Sequence, residues 1–222
     1  MSFIVGIDGP AGSGKGTVTK EISKRLGLIN IDTGSTYRCV ALEIINRGID
    51  LSNKEAIIKI AEEVDIKIEH NDNGDRIFLN GVDVSSRIRE KDVTSIVSPV
   101  SSIVEVRLIM VDLQRKLAEG KDIIMEGRDI CTYVFPNADV KIYLDANEQE
   151  RAKRRFKEMQ EKGIKMTYEE VLDNIQKRDL NDKTKELGAL KVAKDSIIVD
   201  TTGMCIEEVV QRIVEIINEK RK

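Results

Sequence analysis

The nine residues GPAGSGKGT (9–17) directly follow the apolar run FIVGID (3–8), and they determine how the rest of the chain is interpreted. They nearly match the phosphate-binding P-loop pattern G-x-x-x-x-G-K-[ST]. Gly9, Gly14 and Lys15 occupy the expected positions, but Gly16 stands where the pattern has a Ser or Thr that binds magnesium. The stretch therefore predicts a phosphate loop that handles its metal in a different way.

The residues around this stretch support a phosphate loop. Residues 2–8 are typical of a buried strand, and apolar residues recur at every fourth position between 15 and 26, as on one face of a helix. Gly27 ends this helix, and LINID (28–32) predicts the next strand. Backbone N–H groups and a helix N-terminus can surround phosphate oxygens in such a loop. We expect Lys15 to contact the β- and γ-phosphates, and the loop that binds the nucleotide comprises Gly9, Pro10, Ala11, Gly12, Ser13, Gly14, Lys15, Gly16 and Thr17.

The remaining pattern alternates strands and helices. Further short apolar strands are predicted at 122–126, 140–145 and 196–200. Five strands separated by helices predict an open parallel sheet with helices on both faces, a three-layer α/β/α fold. The predicted helices lie at about 35–47, 52–64, 91–97, 103–119, 147–161, 167–180 and 205–219. In such sheets, ligands bind beyond the carboxyl ends of the strands.

Residues 65–84 break this alternation. They alternate polar and apolar side chains, with the turn signals NDNGD and NG between them, so they predict a small antiparallel meander inserted into the fold. Just before it, Ser52 and Glu55 have the spacing of a capping box at a helix start.

Composition and charge exclude several classes of protein. The 222 residues carry a net charge of −3, one His and no Trp, which argues against nucleic acid as the main partner and against a His/Cys zinc site. The three cysteines are widely spaced and form no C-x-x-C pair, as expected in a reducing cytoplasm. No apolar run approaches the ~20 residues of a membrane span, and no export leader precedes the first strand. We therefore predict a cytoplasmic protein without a membrane partner.

The GKGT ending of the loop resembles that of nucleoside monophosphate kinases. In those enzymes, most ligands of the metal ion are oxygens of phosphate groups and water. DTGSTYR (32–38) and EGRDICTYVFP (126–136) then resemble signatures of bacterial cytidylate kinases, as do residues 98–115, 150–158 and 178–182. The resemblance covers nearly the whole chain. It implies phosphorylation of CMP and dCMP with ATP as co-substrate and Mg²⁺ as cofactor, by a monomer.

The resemblance also implies a division of this single domain into three regions. The core would comprise residues 1–64, 85–146 and 181–222, the monophosphate-binding insert would span about 65–84, and a helical lid would span about 147–180.

Two arginines follow predicted strand ends and suit an acceptor phosphate. Arg38 and Arg128 carry guanidinium groups that can bind phosphate through two parallel hydrogen bonds, and Thr33 offers a hydroxyl donor beside Tyr37. For each arginine taken singly, a surface ion pair is the alternative.

The resemblance places the cytosine base against Asp129, Arg107 and Ser98. A carboxylate can accept from the exocyclic amine of cytosine, while Arg and Ser can donate to its acceptor edge. For Ser98, a hydroxyl that ends a helix before Pro99 is an equally good interpretation.

The basic segment RAKRRFK (151–157) matches the lid of these kinases, with Arg151, Arg154 and Arg155 on one helix face. We predict that these arginines neutralise charge during phosphoryl transfer, which depends on positioning and electrostatics. A solvated helix face or a nucleic-acid patch is the alternative.

Arg178 and Asp182 are expected to face the sugar and phosphates, or else to form a plain i,i+4 pair. Lys185 stands where the family usually has Arg, and it cannot bind two oxygens as Arg does. Glu126 resembles the acid that binds Mg²⁺ through water, beside Thr17, with no direct protein ligand to the metal.

One departure concerns the turn after the third strand, where Cys131 replaces the usual Gly and predicts altered backbone angles. Two other functions remain open at this point: a kinase for UMP, AMP or another monophosphate, and a nucleotide-binding P-loop regulatory module. The missing N-K-x-D motif disfavours the regulatory module, and a kinase fold without activity is a third alternative.

Overall fold

The computed structural model describes residues 2–71, 74–161 and 163–221. The chain forms two compact units, one from Met1–Ile31 together with Gly120–Lys222 and the other from Asp32–Glu119. Asp72 and Asn73 of the predicted NDNGD turn lie outside the described residues.

The strands in chain order are β1 (Ile4–Asp8), β2 (Ile29–Asp32), β3 (Ile66–Asn71), β4 (Gly74–Leu79), β5 (Val82–Asp83), β6 (Ile123–Gly127), β7 (Val140–Asp145) and β8 (Ile197–Asp200). The helices are α1 (Lys15–Leu26), α2 (Thr33–Asn46), α3 (Lys54–Glu63), α4 (Lys91–Val100), α5 (Val104–Ala118), α6 (Glu148–Glu161), α7 (Tyr168–Thr184) and α8 (Ile206–Arg221). A 3₁₀ turn covers Arg87–Arg89, and a π-helical turn covers Ile130–Val134.

The first unit is built on a five-stranded sheet in the order β2-β6-β1-β7-β8. The β1 strand is central and runs parallel to β6 and β7, and its last residue, Asp8, lies opposite Gly127 and Tyr143. The carboxyl ends of these three strands therefore meet at one edge, which is where the phosphate loop begins.

Helices α1 and α8 pack on this sheet and close its core. Ile7, Ile22, Ile142 and Ile213 are fully buried there. Each such side chain stabilises the fold by about 1.5–3 kcal/mol relative to exposure to water. Gly27 ends α1 in the left-handed conformation, with φ 66°, as its position in the sequence predicts.

The second unit combines α2–α5 with the antiparallel sheet β3-β4-β5. Its own core includes the buried Ile44, Ile57 and Met110. Asn80 and Gly81 both have positive φ, 51° and 81°, between β4 and β5. This is the geometry of the two-residue hairpin turn that the NG signal predicts.

Helices α6 and α7 form a helical pair within the first unit. Val171 and Ile175 are buried against α6, and the Phe156 and Tyr168 rings meet edge to face with centroids 6.2 Å apart. Thr167 and Glu170 form a capping box at the start of α7.

The capping box predicted at Ser52 is wrong. The side chain of Asn53 caps α3 instead, by accepting a hydrogen bond of 3.1 Å from the N–H of Ala56. Ser52 instead belongs to the turn before the helix, where its N–H donates to the side chain of Asp50.

The predicted α/β fold, with a five-stranded parallel sheet, a small antiparallel sheet and a helical pair, is confirmed. The division into core, insert and lid stays a prediction. Within the described ranges, no helix has the length and apolarity that crossing a membrane requires.

Candidate nucleotide-binding site

The phosphate loop connects β1 to α1 through glycines that no other residue could replace without strain. Gly9 has φ 155°, and a β-carbon there would overlap the backbone oxygen of Leu144 on the neighbouring strand β7. Gly14 immediately precedes α1 in the left-handed conformation, with φ 93°. These conformations bring the loop tightly round to the positive end of α1, where phosphate groups bind readily.

Gly16, the residue that departs from the P-loop pattern, lies next to the side chain of Glu126. A β-carbon at Gly16 would lie 3.0 Å from Oε1 of Glu126, which stands near the end of β6. A Ser or Thr at this position would require the Glu126 carboxylate to shift by a few tenths of an ångström. Gly16 allows an acidic group beside the phosphate loop.

The Lys15 side chain lies buried against the loop itself. Its Nζ donates to the backbone oxygens of Gly9 and Pro10, at 2.7 and 2.8 Å, and to Ser13 Oγ at 3.3 Å. Burial, followed by the repulsive charge of Arg128, lowers the pKa of Lys15 to about 7. The amine thus lies in the loop where a polyphosphate would stabilise its charged form.

Arg128, Asp182 and Lys185 form one buried charge cluster. Arg128 Nε donates to one oxygen of Asp182 at 2.7 Å, and Lys185 Nζ donates to the other at 2.9 Å. Burial acts to raise the pKa of Asp182, but the charges of Arg128, Lys185 and Arg178 hold it well below its usual range. Arg178 is therefore close to this carboxylate, and Asp182 is shared among several cations rather than forming one i,i+4 pair.

The turn that follows β6 carries Asp129 and Cys131. Asp129 is buried, and its backbone oxygen accepts from the N–H groups of Tyr133 and Val134, which forms the π-helical turn. Cys131 is also buried, and its Sγ lies 2.8 Å from the place where Gly6 would carry a β-carbon.

The backbone angles of Cys131 bear on the prediction that its side chain alters the turn. Among the described non-glycine residues, positive φ occurs at Asn80, so Cys131 does not adopt the left-handed conformation. Gly6 provides the space that the thiol occupies, because it has no side chain of its own.

Arg151, Arg154 and Arg155 of α6 have different partners. Arg151 is buried, pairs with Asp179 at 2.7 Å, and donates to the backbone oxygen of Ala11 in the phosphate loop at 2.9 Å. Arg154 donates to Oγ1 and the backbone oxygen of Thr201 at 2.9 and 2.6 Å. Arg155 is half-exposed and pairs with Glu158 on its own helix. The three therefore do not share one environment.

In the second unit, Arg38 pairs with Asp32 at 2.6 Å. Burial acts to raise the pKa of Asp32, but Arg38 and the more distant Arg89 lower it below its ordinary value. Thr33 is buried at the start of α2, and its backbone oxygen accepts from Thr36. The DTGSTYR segment thus presents a guanidinium held by a carboxylate.

Tyr37 and Arg107 also contact each other in this unit. The Arg107 guanidinium lies 5.5 Å from the centroid of the Tyr37 ring, and it donates to the backbone oxygen of Ser101 at 3.2 Å. Ser98 is half-buried in α4, and its backbone oxygen accepts from the hydroxyls of Ser101 and Ser102.

Several polar residues around these groups were not singled out from the sequence. They are Asp8, Asp32, Asp179 and Thr201, which contact predicted site residues or the turn that carries them. Asp8 and Asp32 each end a strand, a position that suits a ligand-binding acid, and Asp179 directly follows Arg178. Thr201 follows the end of β8 but lacks a charge that would mark it.

Comparison with known proteins identifies close relatives. A family model described as cytidylate kinase matches residues 5–219. The cytidylate kinase of Caldicellulosiruptor saccharolyticus is 46% identical over 96% of this chain and 94% of that protein. The cytidylate kinase of Caldanaerobacter subterraneus subsp. tengcongensis is 45% identical over 100% of this chain and 97% of that protein.

Solved structures show the same fold at much lower sequence identity. A protein from Eubacterium ventriosum, solved without a known function, aligns with TM-score 0.55 and 13% identity over 99% of both chains. A structure from Thermus thermophilus aligns with TM-score 0.50 and 17% identity over 100% of this chain and 98% of that one.

Proposed function

This chain belongs to the cytidylate kinase family, and from that membership we propose that it transfers the γ-phosphoryl group of ATP to CMP and dCMP, with ADP and CDP or dCDP as products. It is a phosphotransferase that acts on small nucleotides. A kinase for UMP or AMP, and a regulatory nucleotide-binding module, are not favoured, because the identity extends over nearly the full chain.

One observation carries the proposal in structural terms. The phosphate loop leaves β1 at Asp8, and the Arg128–Asp129 turn leaves β6 after Gly127, which lies directly opposite Asp8. The groups that would bind the donor phosphates and those that would bind the acceptor therefore start from adjacent strand ends. Ligands of open parallel sheets bind at this edge.

Phosphoryl transfer needs positioned cations more than covalent chemistry. We assign Lys15 to the β- and γ-phosphates and Arg128 to the phosphates during transfer. Arg154 and Arg155 of the lid, with Arg151, would add positive charge where negative charge is distributed over the transferring oxygens. Lys15 is already oriented into the loop by its contacts with the backbone oxygens of Gly9 and Pro10.

For the acceptor, we assign the α-phosphate of CMP to Arg38 and Arg128, with Thr33 and Tyr37 beside Arg38. The Asp32 carboxylate, at 2.6 Å, restricts the Arg38 guanidinium and thereby lowers the entropy lost when it binds an anion.

For the base and sugar, Asp129 would accept from the cytosine amine, and Ser98 and Arg107 would donate to the acceptor edge of the ring. Arg178, Asp182 and Lys185 would contact the ribose and phosphates. The existing cluster of charges at Asp182 supports this assignment, because a sugar hydroxyl can donate to a carboxylate that remains ionised.

We propose that the reaction requires Mg²⁺, and the donor set beside the phosphate loop supports this proposal. Within the described ranges, no three His, Cys, Asp or Glu side chains cluster as metal ligands. Glu126, beside Gly16, and the exposed hydroxyl of Thr17 suit an ion that takes most of its ligands from phosphates and water, as Mg²⁺ commonly does. The ion would supply positive charge to the β- and γ-phosphate oxygens.

We further propose that the enzyme acts as a monomer in the cytoplasm, without a nucleic-acid or membrane partner. A sedimentation experiment at several enzyme concentrations would test the monomer, since self-association would raise the apparent mass with concentration.

The assignment is tested by ADP release measured with CMP, dCMP, UMP, AMP and GMP at equal concentrations. We expect CMP and dCMP to give the highest kcat/KM, and Lys15→Met to abolish turnover with both. Equal rates with all five acceptors, or a preference for AMP or GMP, would contradict the assignment.

A further inference from the structure

The carboxylate of Asp8 lies directly beneath the turn that carries Arg128 and Asp129. Its Oδ1 accepts from the N–H of Ile130 and its Oδ2 accepts from the N–H of Cys131, both at 2.8 Å. The side chain is 1% exposed. Both oxygens are therefore used to hold two consecutive backbone groups.

From this geometry we propose that Asp8 is a positioning residue for phosphoryl transfer, which fixes the Arg128–Asp129 turn relative to the phosphate loop. Asp8 immediately precedes Gly9, the first residue of that loop. Its backbone therefore leads into the phosphate loop, while its side chain binds the turn that carries Arg128 and Asp129. This inference rests on the proposed function, which assigns Arg128 and Asp129 to the acceptor.

The cost of placing a carboxylate there supports a specific role. Burial raises the pKa of Asp8 to about 6, and the nearby charge of Asp129 acts in the same direction, although the two N–H groups oppose the shift. Burying a carboxylate costs free energy because the charge loses its hydration. A neutral residue at the end of the strand would avoid this cost. Two carboxylate–amide bonds define the turn more strictly than one neutral bond could.

Asp8→Asn tests the proposal because the amide has one acceptor oxygen in place of two. One of the two N–H groups then faces an NH₂ donor, and the turn must move. We expect kcat/KM for CMP to fall by about 10–100-fold, since small displacements of a positioning group have effects of this order. KM for CMP should rise more than KM for ATP, and Asp8→Glu, which keeps the carboxylate, should recover part of the loss.

Asp139→Asn is the matched control. The Asp139 carboxylate also accepts from a backbone N–H, that of Ile4 at 2.7 Å, but at the opposite end of β1. We expect its kinetic constants to equal those of the wild type. An Asp8→Asn enzyme with wild-type kcat/KM for CMP, or with an equal rise in KM for ATP and for CMP, would overturn the positioning role.

A spectroscopic measurement on the wild type decides the case even where Asp8→Asn does not fold. The amide resonances of Ile130 and Cys131 should shift together with a midpoint near pH 6, as the shared carboxylate takes up a proton. Lys15, Asp129, Tyr143 and the Cys131 thiol also face this carboxylate, so a folded Asp8→Asn protein should lose the common titration while these groups remain.

Two amides that do not titrate together would overturn the inference. A wild-type enzyme that shows this titration but does not phosphorylate CMP would overturn the proposed function of the site, and the kinetic role of Asp8 with it, while the Asp8 contacts would stand.

Discussion

Adding a single methyl group at Gly6 tests the packing that accommodates Cys131. In Gly6→Ala the new β-carbon would lie 2.8 Å from Cys131 Sγ and 3.1 Å from Cγ2 of Ile130. Ordinary contact begins at 3.4 Å, so the thiol would have to move by about 0.6 Å. It has little room to do so, because the Cys131 N–H is bound to Asp8 and the side chain is 2% exposed.

Overpacking of this kind costs about 1–3 kcal/mol in free energy of unfolding. For a chain of this length, each kcal/mol lowers the melting temperature by about 2–4 °C. Calorimetry or circular dichroism on Gly6→Ala, Cys131→Gly and the double variant measures the coupling between the two positions. We expect Gly6→Ala to cost much less in the Cys131→Gly background, with a remainder from Ile130. An equal cost in both backgrounds would refute the explanation that Gly6 makes room for the thiol.

Two further predictions concern charge. Because burial and Arg128 lower the pKa of Lys15 to about 7, part of the free protein carries a neutral amine at pH 8, and a bound polyphosphate favours the charged form, so ATP binding should take up protons. Titration calorimetry in two buffers of different ionisation enthalpy measures this uptake, which Lys15→Arg should lack, and a wild type without uptake would contradict the prediction. Asp182→Asn should reduce the free energy of unfolding by about 3–5 kcal/mol, because it leaves Arg128 and Lys185 without their shared anion. Denaturant unfolding measures this, and the exposed Asp195→Asn, which also pairs with a lysine, should cost far less; equal losses would contradict the reasoning.

Much of the fold could be predicted from the sequence because its signals are local. The order of strand, glycine-rich loop and helix around residues 9–17, the NG turn at Asn80 and the short apolar strands depend on neighbouring residues, and the structure contains each of them. Helix boundaries were less certain. Ser52 and Asn53 are both good capping residues, and only the backbone geometry selects Asn53.

The site could be predicted only where one residue type determines the chemistry. Lys15 follows from its motif, but the neighbour of Gly16 is a carboxylate 110 positions later in the chain, and the neighbour of Gly6 is the thiol of Cys131. Contacts between residues so far apart depend on strand order and register, which a single sequence does not state. The same holds for Arg151, whose bond to the Ala11 backbone is determined by tertiary structure.

We propose that the bound nucleotide passes its γ-phosphoryl group to a cytidine monophosphate instead of to water. Incubation with ATP that carries a radioactive γ-phosphate, with and without CMP, followed by separation of the products, tests this claim most directly. We predict that the label appears in CDP in a CMP-dependent reaction, with little free phosphate. Label released as phosphate at the same rate whether or not CMP is present would contradict the claim and would indicate a nucleotide-hydrolysing module.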